Sequence, residues 1–450
     1  MRGWSRKRAR YVWDIVRRGP TEVGYAYFRA RRRRRNLADE EPELSASDRL
    51  VLDGDYDVDE ADLAATAEAV AAWQRAGGAG IESIQWFLPW FHLVYGGGVY
   101  TVLRFADRFA AEHGAQNRFH VYDRAGEPFA RDIAAKIAGA FPSLAQAPVT
   151  AAGAQLASAD AAIATAWTSA FPLVRHRGAR AKFFFVQDLE PEFYPAGAAS
   201  AVLEQAARFG LPGIVNTPGL ADVYRTYGNP AVAFTPAVDT RRYRPPEARR
   251  PADPVRIFFY GRPSQPRNAF GLGLAALRLV KRRFGDRVRI VCAGEDWNPG
   301  QYGAADVLDN LGLLGDVDAV ARLYRTCHVG LSFMFTPHPS YQPLEFMACE
   351  MATVSNRNPH TGWLLRHEHN ALLAPALPAA VADQIGRLVE DDGLRERIAR
   401  TGRDEVARVS WEEEIDRVWE AMTSQPGRFE PPADRAARPP AEEGTLLLGG

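Results

Sequence analysis

Along the chain, short runs of consecutive apolar residues alternate with longer stretches whose apolar positions recur every three or four residues. Residues 84–88, 119–122, 161–165, 183–186 and 213–216 are runs of the first kind, bounded by turn residues, and read as strands. Residues 99–112 read as a helix with Val99, Leu103, Ala106 and Ala110 on one face. After a charged, proline-rich stretch at 241–254 the pattern restarts, with strands at 256–260, 288–292 and 329–333 and helices at 319–326 and 343–351. Strands alternating with helices imply parallel, doubly wound sheets, so the chain is expected to fold as two Rossmann-like α/β domains, 80–240 and 241–405. Before them lie a basic arm at 1–45 and a lead-in segment at 46–79 whose alanine-rich part, 59–75, has a helical pattern. A closing helix at 406–424, with Trp411 near its start, follows them. The end, 425–450, is rich in Pro, Ala and charge, has no period, and is expected to be disordered.

Composition changes this picture at one end only. The formal net charge is zero, yet residues 1–35 hold thirteen Lys or Arg against Asp14 and Glu22, interleaved with Trp4, Tyr11, Trp13, Tyr25, Tyr27 and Phe28. Such an arm suits an anionic membrane surface; it would also serve as a solvated arm, with nucleic acid the least favoured partner. Cys292, Cys327 and Cys349 are scattered and lack metal-ligand spacing, which fits a reducing cytosol. The basic amino terminus has no apolar core behind it and does not read as a signal peptide. Residues 83–103 carry no charge, but Pro89 and Gly96-Gly97-Gly98 would break a membrane-spanning helix.

Four stretches carry candidate chemistry at the carboxyl ends of predicted strands, where doubly wound sheets bind ligands. At 338–345, His338, Ser340, Tyr341, Leu344 and Glu345 lead into a helix begun by Pro343; free N–H groups there attract phosphate, and Glu345 suits ribose hydroxyls. Gly261, Arg262 and Arg267 follow the second domain's first strand, where guanidinium groups can meet a diphosphate. The triplet Gly96, Gly97 and Gly98 permits close backbone approach to a sugar or phosphate. A buried strand delivers Gln187, Asp188 and Glu190, with Tyr194 alongside; these carboxylates either bind sugar hydroxyls, act as a base, or cap local structure. Metal motifs fail: His367-Glu368-His369 lacks the HExxH spacing, residues 53–57 match a calcium loop only in part, and Asp316 reads as a helix cap.

The block 340–349, Gly261-Arg262 with Arg267, the run LGLLG at 311–315, Asn370-Ala371-Leu372-Leu373 and Ser410-Trp411-Glu412 stand in an order that resembles the carboxy-terminal half of retaining GT-B glycosyltransferases of family 4. The linker-like Pro236-Ala237-Val238-Asp239 and Tyr243-Arg244-Pro245 belong to the same pattern. The run FVQDLEP at 185–191, taken with His338-Pro339-Ser340-Tyr341 and Pro343-Leu344-Glu345, is most similar to the WsaF-type rhamnosyltransferases. The resemblance spans about 80–422 and implies a GT-B fold with a ligand cleft between its two domains. It implies that Arg262 and Arg267 hold the donor diphosphate, with Gly261, Ser340, Tyr341 and Leu344 around it and Glu345 on the ribose. Gly96, Gly97, Gly98, Glu190, Tyr194 and His338 would face sugar and acceptor, and Asp188 with Gln187 would be the catalytic candidates. The implied donor is L-rhamnose on dTDP, the implied acceptor a polysaccharide or lipid-linked glycan. No cofactor or metal is expected, and the implied location is cytoplasmic, peripheral at the inner membrane face. One departure matters. The family often carries two glutamates eight positions apart, but Pro337 stands eight before Glu345. A nucleotide-sugar epimerase and a glycan-binding protein without turnover are the alternative readings.

Overall fold

The computed structural model describes residues 45–431. Residues 1–44, which hold the basic arm, lie outside them. Ala46–Asp53 is a helix in a unit separate from the one that begins at Gly54.

From Gly54 onward the chain builds two parallel sheets. The first contains β1 (Ser83–Leu88), β2 (Gln116–Ala125), β3 (Val149–Ala152), β4 (Ala159–Ala164), β5 (Ala179–Val186), β6 (Gly213–Asn216) and β7 (Ala231–Phe234), in the order β3-β2-β1-β4-β5-β6-β7. The second contains β8 (Val255–Tyr260), β9 (Val288–Ala293), β10 (Asp309–Asn310), β11 (Val329–Leu331), β12 (Ala352–Asn356) and β13 (Ala371–Ala374), ordered β10-β9-β8-β11-β12-β13. Strand order reverses between β1 and β4 and between β8 and β11, and a crevice opens at such points. Central strands are buried on both faces, which is why they read as unbroken apolar runs: Phe183, Phe184 and Phe185 are all fully buried.

The helix expected within 59–75 runs Glu60–Arg75, started by an Asp59 side chain that accepts the Asp62 N–H at 2.7 Å. Its Trp73 enters the core under the first sheet. The closing helix needs correction at both ends. Val406 terminates the helix Asp392–Val406, and a new one, Trp411–Thr423, begins after Ser410, whose hydroxyl accepts the Glu413 N–H. Its Trp411, Ile415, Val418, Ala421 and Met422 pack into the first domain's core, and the Trp73 indole donates to the Met422 carbonyl at 2.7 Å. The tail expected to be disordered from 425 is structured through Glu430: Phe429 is buried and Glu430 pairs with Ala231 at the edge of β7.

The domains meet closely at one backbone contact. A Cβ on Gly219, in the helix Pro218–Arg225, would lie 1.9 Å from the His360 carbonyl oxygen of the second domain. Only glycine fits there.

Candidate functional site

Between the domains lies a cleft of about 640 Å³, a volume suited to a small organic ligand. Its walls come from segments that follow β1, β5, β8 and β11, and three of these strands, β1, β8 and β11, stand beside the two points of order reversal. Of the residues singled out in the sequence, Gly96, Gly97, Gly98, Gln187, Asp188, Glu190, Arg262, Arg267, His338, Ser340, Tyr341, Leu344 and Glu345 all line it. Gly261 and Tyr194 do not. Gly261 is wedged against Cys292, where a Cβ would come within 2.5 Å of the sulfur, and its carbonyl accepts the Trp297 indole N–H at 3.1 Å.

The stretch 338–345 differs in detail from the sequence reading. The helix is only seven residues, Gln342–Ala348, not 343–351, and is apolar nearly all round: Leu344, Phe346, Met347 and Ala348 are buried. A helix of under two turns has a small dipole, so the phosphate attraction expected at its start is weak. Glu345 accepts hydrogen bonds from the hydroxyls of Tyr243 and Tyr324, and burial pushes its carboxyl up to about 7. Tyr341 crosses into the first domain. Its hydroxyl lies 2.7 Å from the Thr101 hydroxyl and accepts from the Asn216 amide at 3.0 Å, and a Cβ on Gly97 would be 3.5 Å from its ring. Gly97 therefore also serves domain contact, and Gly98 faces the Gln187 amide, 3.2 Å from where its Cβ would stand.

Arg267 also reaches across from the second domain, its guanidinium 4.1 Å from the centre of the Phe193 ring and facing Asp188 and Glu190. Arg262 lies over the Tyr260 ring and donates to its hydroxyl at 3.2 Å. Asp188 and Glu190 are both pushed up to about 7, chiefly by burial, against hydrogen bonds from Thr336 and the Leu189 N–H on the first and from the Trp167 N–H on the second. His338 is pushed down to about 3 by burial and by Arg267, so it is neutral. Its Nδ1 accepts the Ser340 N–H at 2.9 Å, with Ser340 held at φ +66° to make that bond. The ring proton therefore sits on Nε2.

Five buried polar atoms on residues lining this cleft have no partner among the described residues: Gln187 Oε1, Asn216 Oδ1, Arg262 Nε, Asn268 Oδ1 and His338 Nε2. Buried polar groups are rarely left unpaired, so five of them on the side chains lining one cleft set it apart from an ordinary domain seam. Thr101, Asn216, Tyr324 and Thr336 were not read from the sequence, and Tyr243 was read only as part of the linker. Each works through a partner far along the chain, and no local motif announces it. Among the described residues no cluster of three or more His, Cys, Asp or Glu could hold a metal ion. Asp316 caps the helix Val317–Arg325, and His367 and His369 are occupied by the Leu373 N–H and Glu405.

Two facing doubly wound domains with the cleft between them define the GT-B architecture. Sucrose-phosphate synthase of Thermosynechococcus elongatus superposes with a TM-score of 0.57 at 15% identity, over 75% of this chain and 98% of that one. HepE of Anabaena, solved with UDP and glucose, gives 0.57 at 14% identity over 77% of this chain and its own full length. Residues 255–386 match the family described as WsaF, C-terminal domain. Over 368 residues the chain is 43% identical to the O-antigen biosynthesis protein RfbC of Myxococcus xanthus; the match takes in 79% of this chain but only 28% of that much longer relative.

Proposed function

We propose that this chain transfers a sugar from a nucleotide-sugar donor to a hydroxyl group of a surface-polysaccharide acceptor. The observation that carries the reading is the convergence in one interdomain cleft of Arg262, Arg267, two hydroxyl-bound carboxyls and five unpaired buried polar atoms. Such a lining fits an anionic, hydroxyl-rich ligand. The likeness to RfbC and to the WsaF C-terminal domain supports polysaccharide assembly as the setting, and the UDP and glucose bound by HepE support a nucleotide-sugar ligand.

In this reading Arg262 and Arg267 meet the diphosphate, Glu345 the ribose, and Asp188 accepts a hydrogen bond from the attacking hydroxyl. As the acceptor oxygen bonds to the anomeric carbon, the bond from that carbon to phosphate breaks. The electron pair leaves with the diphosphate, which also takes the acceptor's proton on the same face of the sugar, so configuration is retained. Cationic side chains balance the leaving charge, and no metal is required. Neutral His338 stands beside Pro337, where the family's first glutamate would be, and offers one N–H in place of a carboxylate. A donor with fewer hydroxyls, L-rhamnose on dTDP, fits that exchange.

The test is a panel of sugar nucleotides offered with and without glycan acceptors, with and without a chelator. Transfer from a dTDP-deoxysugar, unchanged by chelator, is expected. Conversion of the donor without acceptor would identify an epimerase, and binding without conversion a glycan-binding protein. Inhibition by chelator and rescue by Mg²⁺ would overturn the metal-free scheme.

The basic, aromatic arm supports peripheral attachment to an anionic membrane, where lipid-linked acceptors reside. Deleting residues 1–35 is expected to abolish sedimentation with anionic liposomes while preserving transfer to a soluble acceptor. Wild-type sedimentation should weaken with salt, as screening shortens to about 8 Å at physiological ionic strength. Equal sedimentation of the truncated protein would remove the arm from the scheme.

A further inference from the structure

Asp188 lies just beyond the end of β5, on the first domain's wall of the cleft. Its Oδ1 accepts the Leu189 N–H at 2.8 Å, and its Oδ2 accepts the Thr336 hydroxyl at 3.0 Å. Thr336 belongs to the other domain, 148 positions along the chain. Both side chains are buried, Asp188 at 8% exposure and Thr336 at 2%. The contact is therefore a hydrogen bond sealed from water, made by one domain to a carboxyl group of the other.

Thr336 is fixed where it stands. Its carbonyl accepts the Asn358 amide at 2.7 Å. Two residues earlier, Met334 gives its N–H to Asn356 Oδ1 at 3.0 Å and takes the Asn356 amide on its carbonyl at 2.8 Å. Asn356 ends β12 and Asn358 follows it, so the segment after β11 is clamped to the neighbouring strand and delivers the hydroxyl as a rigid arm. A hydroxyl donor bonds more strongly to a carboxylate than to a carboxylic acid, so this bond favours ionisation.

Two charged groups facing Asp188 act in opposite directions. Arg267, from the turn Pro266–Asn268, favours the charged form, whereas Glu192 on its own segment opposes it; Asp188 in turn raises Glu190. His338, beyond Thr336, is neutral. Burial then leaves the carboxyl at about 7, where loss of a single hydrogen bond decides its charge at working pH.

We propose that Thr336 is a positioning residue for Asp188: its hydroxyl, supplied from the second domain, keeps the carboxylate ionised and aimed into the cleft. The hydrogen-bonding group that would meet an acceptor hydroxyl is thus completed by both domains together. Its consequence for transfer rests on the glycosyltransferase reading, while the effect on Asp188 itself does not.

The sign follows from linkage. A carboxyl whose pKa is raised in the folded state gives its full stability below the unfolded value of about 3.9 and loses it as pH rises through the folded value. Removing the Thr336 hydroxyl raises the folded value further, so that loss extends to higher pH. Melting temperatures of wild type, Thr336→Val, Thr336→Ser, Asp188→Asn and the Thr336→Val/Asp188→Asn pair would be measured from pH 4 to about 9, alongside transfer rates where the protein is active. Thr336→Val is expected to move both the pH-dependent fall in melting temperature and the acid limb of the rate upward by about one pH unit, the size of one charged hydrogen bond. Thr336→Ser should restore both, and Asp188→Asn should cancel the effect of Thr336→Val on the pH dependence. A loss of melting temperature that is the same at every pH, or that persists in the Asp188→Asn background, would show that the hydroxyl only packs, and would overturn the proposal. So would a shifted melting profile with an unmoved acid limb in an active enzyme. A shifted profile in a protein that turns over no sugar nucleotide would sink the transferase reading and leave the Thr336–Asp188 coupling standing.

Discussion

Replacing Arg262 or Arg267 with alanine is expected to lower the rate of sugar transfer by about 10²–10³-fold, with little change in acceptor affinity. Preorganised charges aimed at a leaving group commonly account for a factor of this size. The two positions should differ in a second respect. Arg262 has an unpaired Nε and is held by Tyr260, through its ring and its hydroxyl, so its loss leaves the two carboxyls' own partners in place. Arg267 also faces Asp188 and Glu190, and its loss strips both carboxyls of the cation that favours their charge. The Arg267→Ala variant should therefore show its residual activity displaced to higher pH, and Arg262→Ala should not. Lysine is expected to rescue either site poorly, because an ammonium group cannot grip two phosphate oxygens through a planar fork. Single-turnover rates across pH, with donor affinity by calorimetry, separate these effects; wild-type rates from both variants would reduce the arginines to wall-building residues.

Glu345→Gln is expected to weaken donor binding and at the same time stabilise the fold above neutral pH. Glutamine keeps the shape and can accept from the Tyr243 and Tyr324 hydroxyls, but it carries no charge for the ribose hydroxyls. A hydrogen bond to a charged group contributes about 1.5–3 kcal/mol, so at least a tenfold loss in affinity should follow. The wild-type carboxyl is raised to about 7. Its contribution to stability is full below the unfolded value of about 4.3 and is lost as pH rises through 7. Wild type should therefore bind donor more tightly as pH rises through 7, taking up the ionised form, while becoming less stable over the same interval. The variant should show neither trend. Calorimetry with a nucleotide sugar and melting curves at pH 5 and about 8 test both halves; equal affinity with an equal pH slope would remove Glu345 from the ribose.

How much of this was visible in the sequence depends on how local each interaction is. The strands were legible because a strand buried on both faces must be apolar throughout, as residues 183–186 are. The cleft segments were legible because doubly wound sheets gather the residues that follow their strands at one edge. The break before Trp411 was missed, although Ser410 with Glu413 three positions on is a helix-start pattern, because the apolar positions on either side run on almost in phase. What no local reading supplies is the docking of the domains. Thr336 finds Asp188, and Tyr341 finds Thr101 and Asn216, only once two separately folded sheets face each other. Gly261 shows the converse: a glycine that looked suited to phosphate is required by its own domain's packing against Cys292.

The return of the chain to the first domain has a mechanical meaning. The polypeptide passes from one domain to the other in the stretch between β7 and β8, and passes back between Val406 and Trp411. A pair of bodies joined by one thread can twist and slide freely, whereas a pair joined by two is pinned along the line between the threads, like a door on two hinges. Two crossings restrict twisting and sliding of the domains more than one would. Any parting of the domains would therefore separate Thr336, Arg267 and Tyr341 from Asp188, Phe193 and Thr101 as one set of contacts.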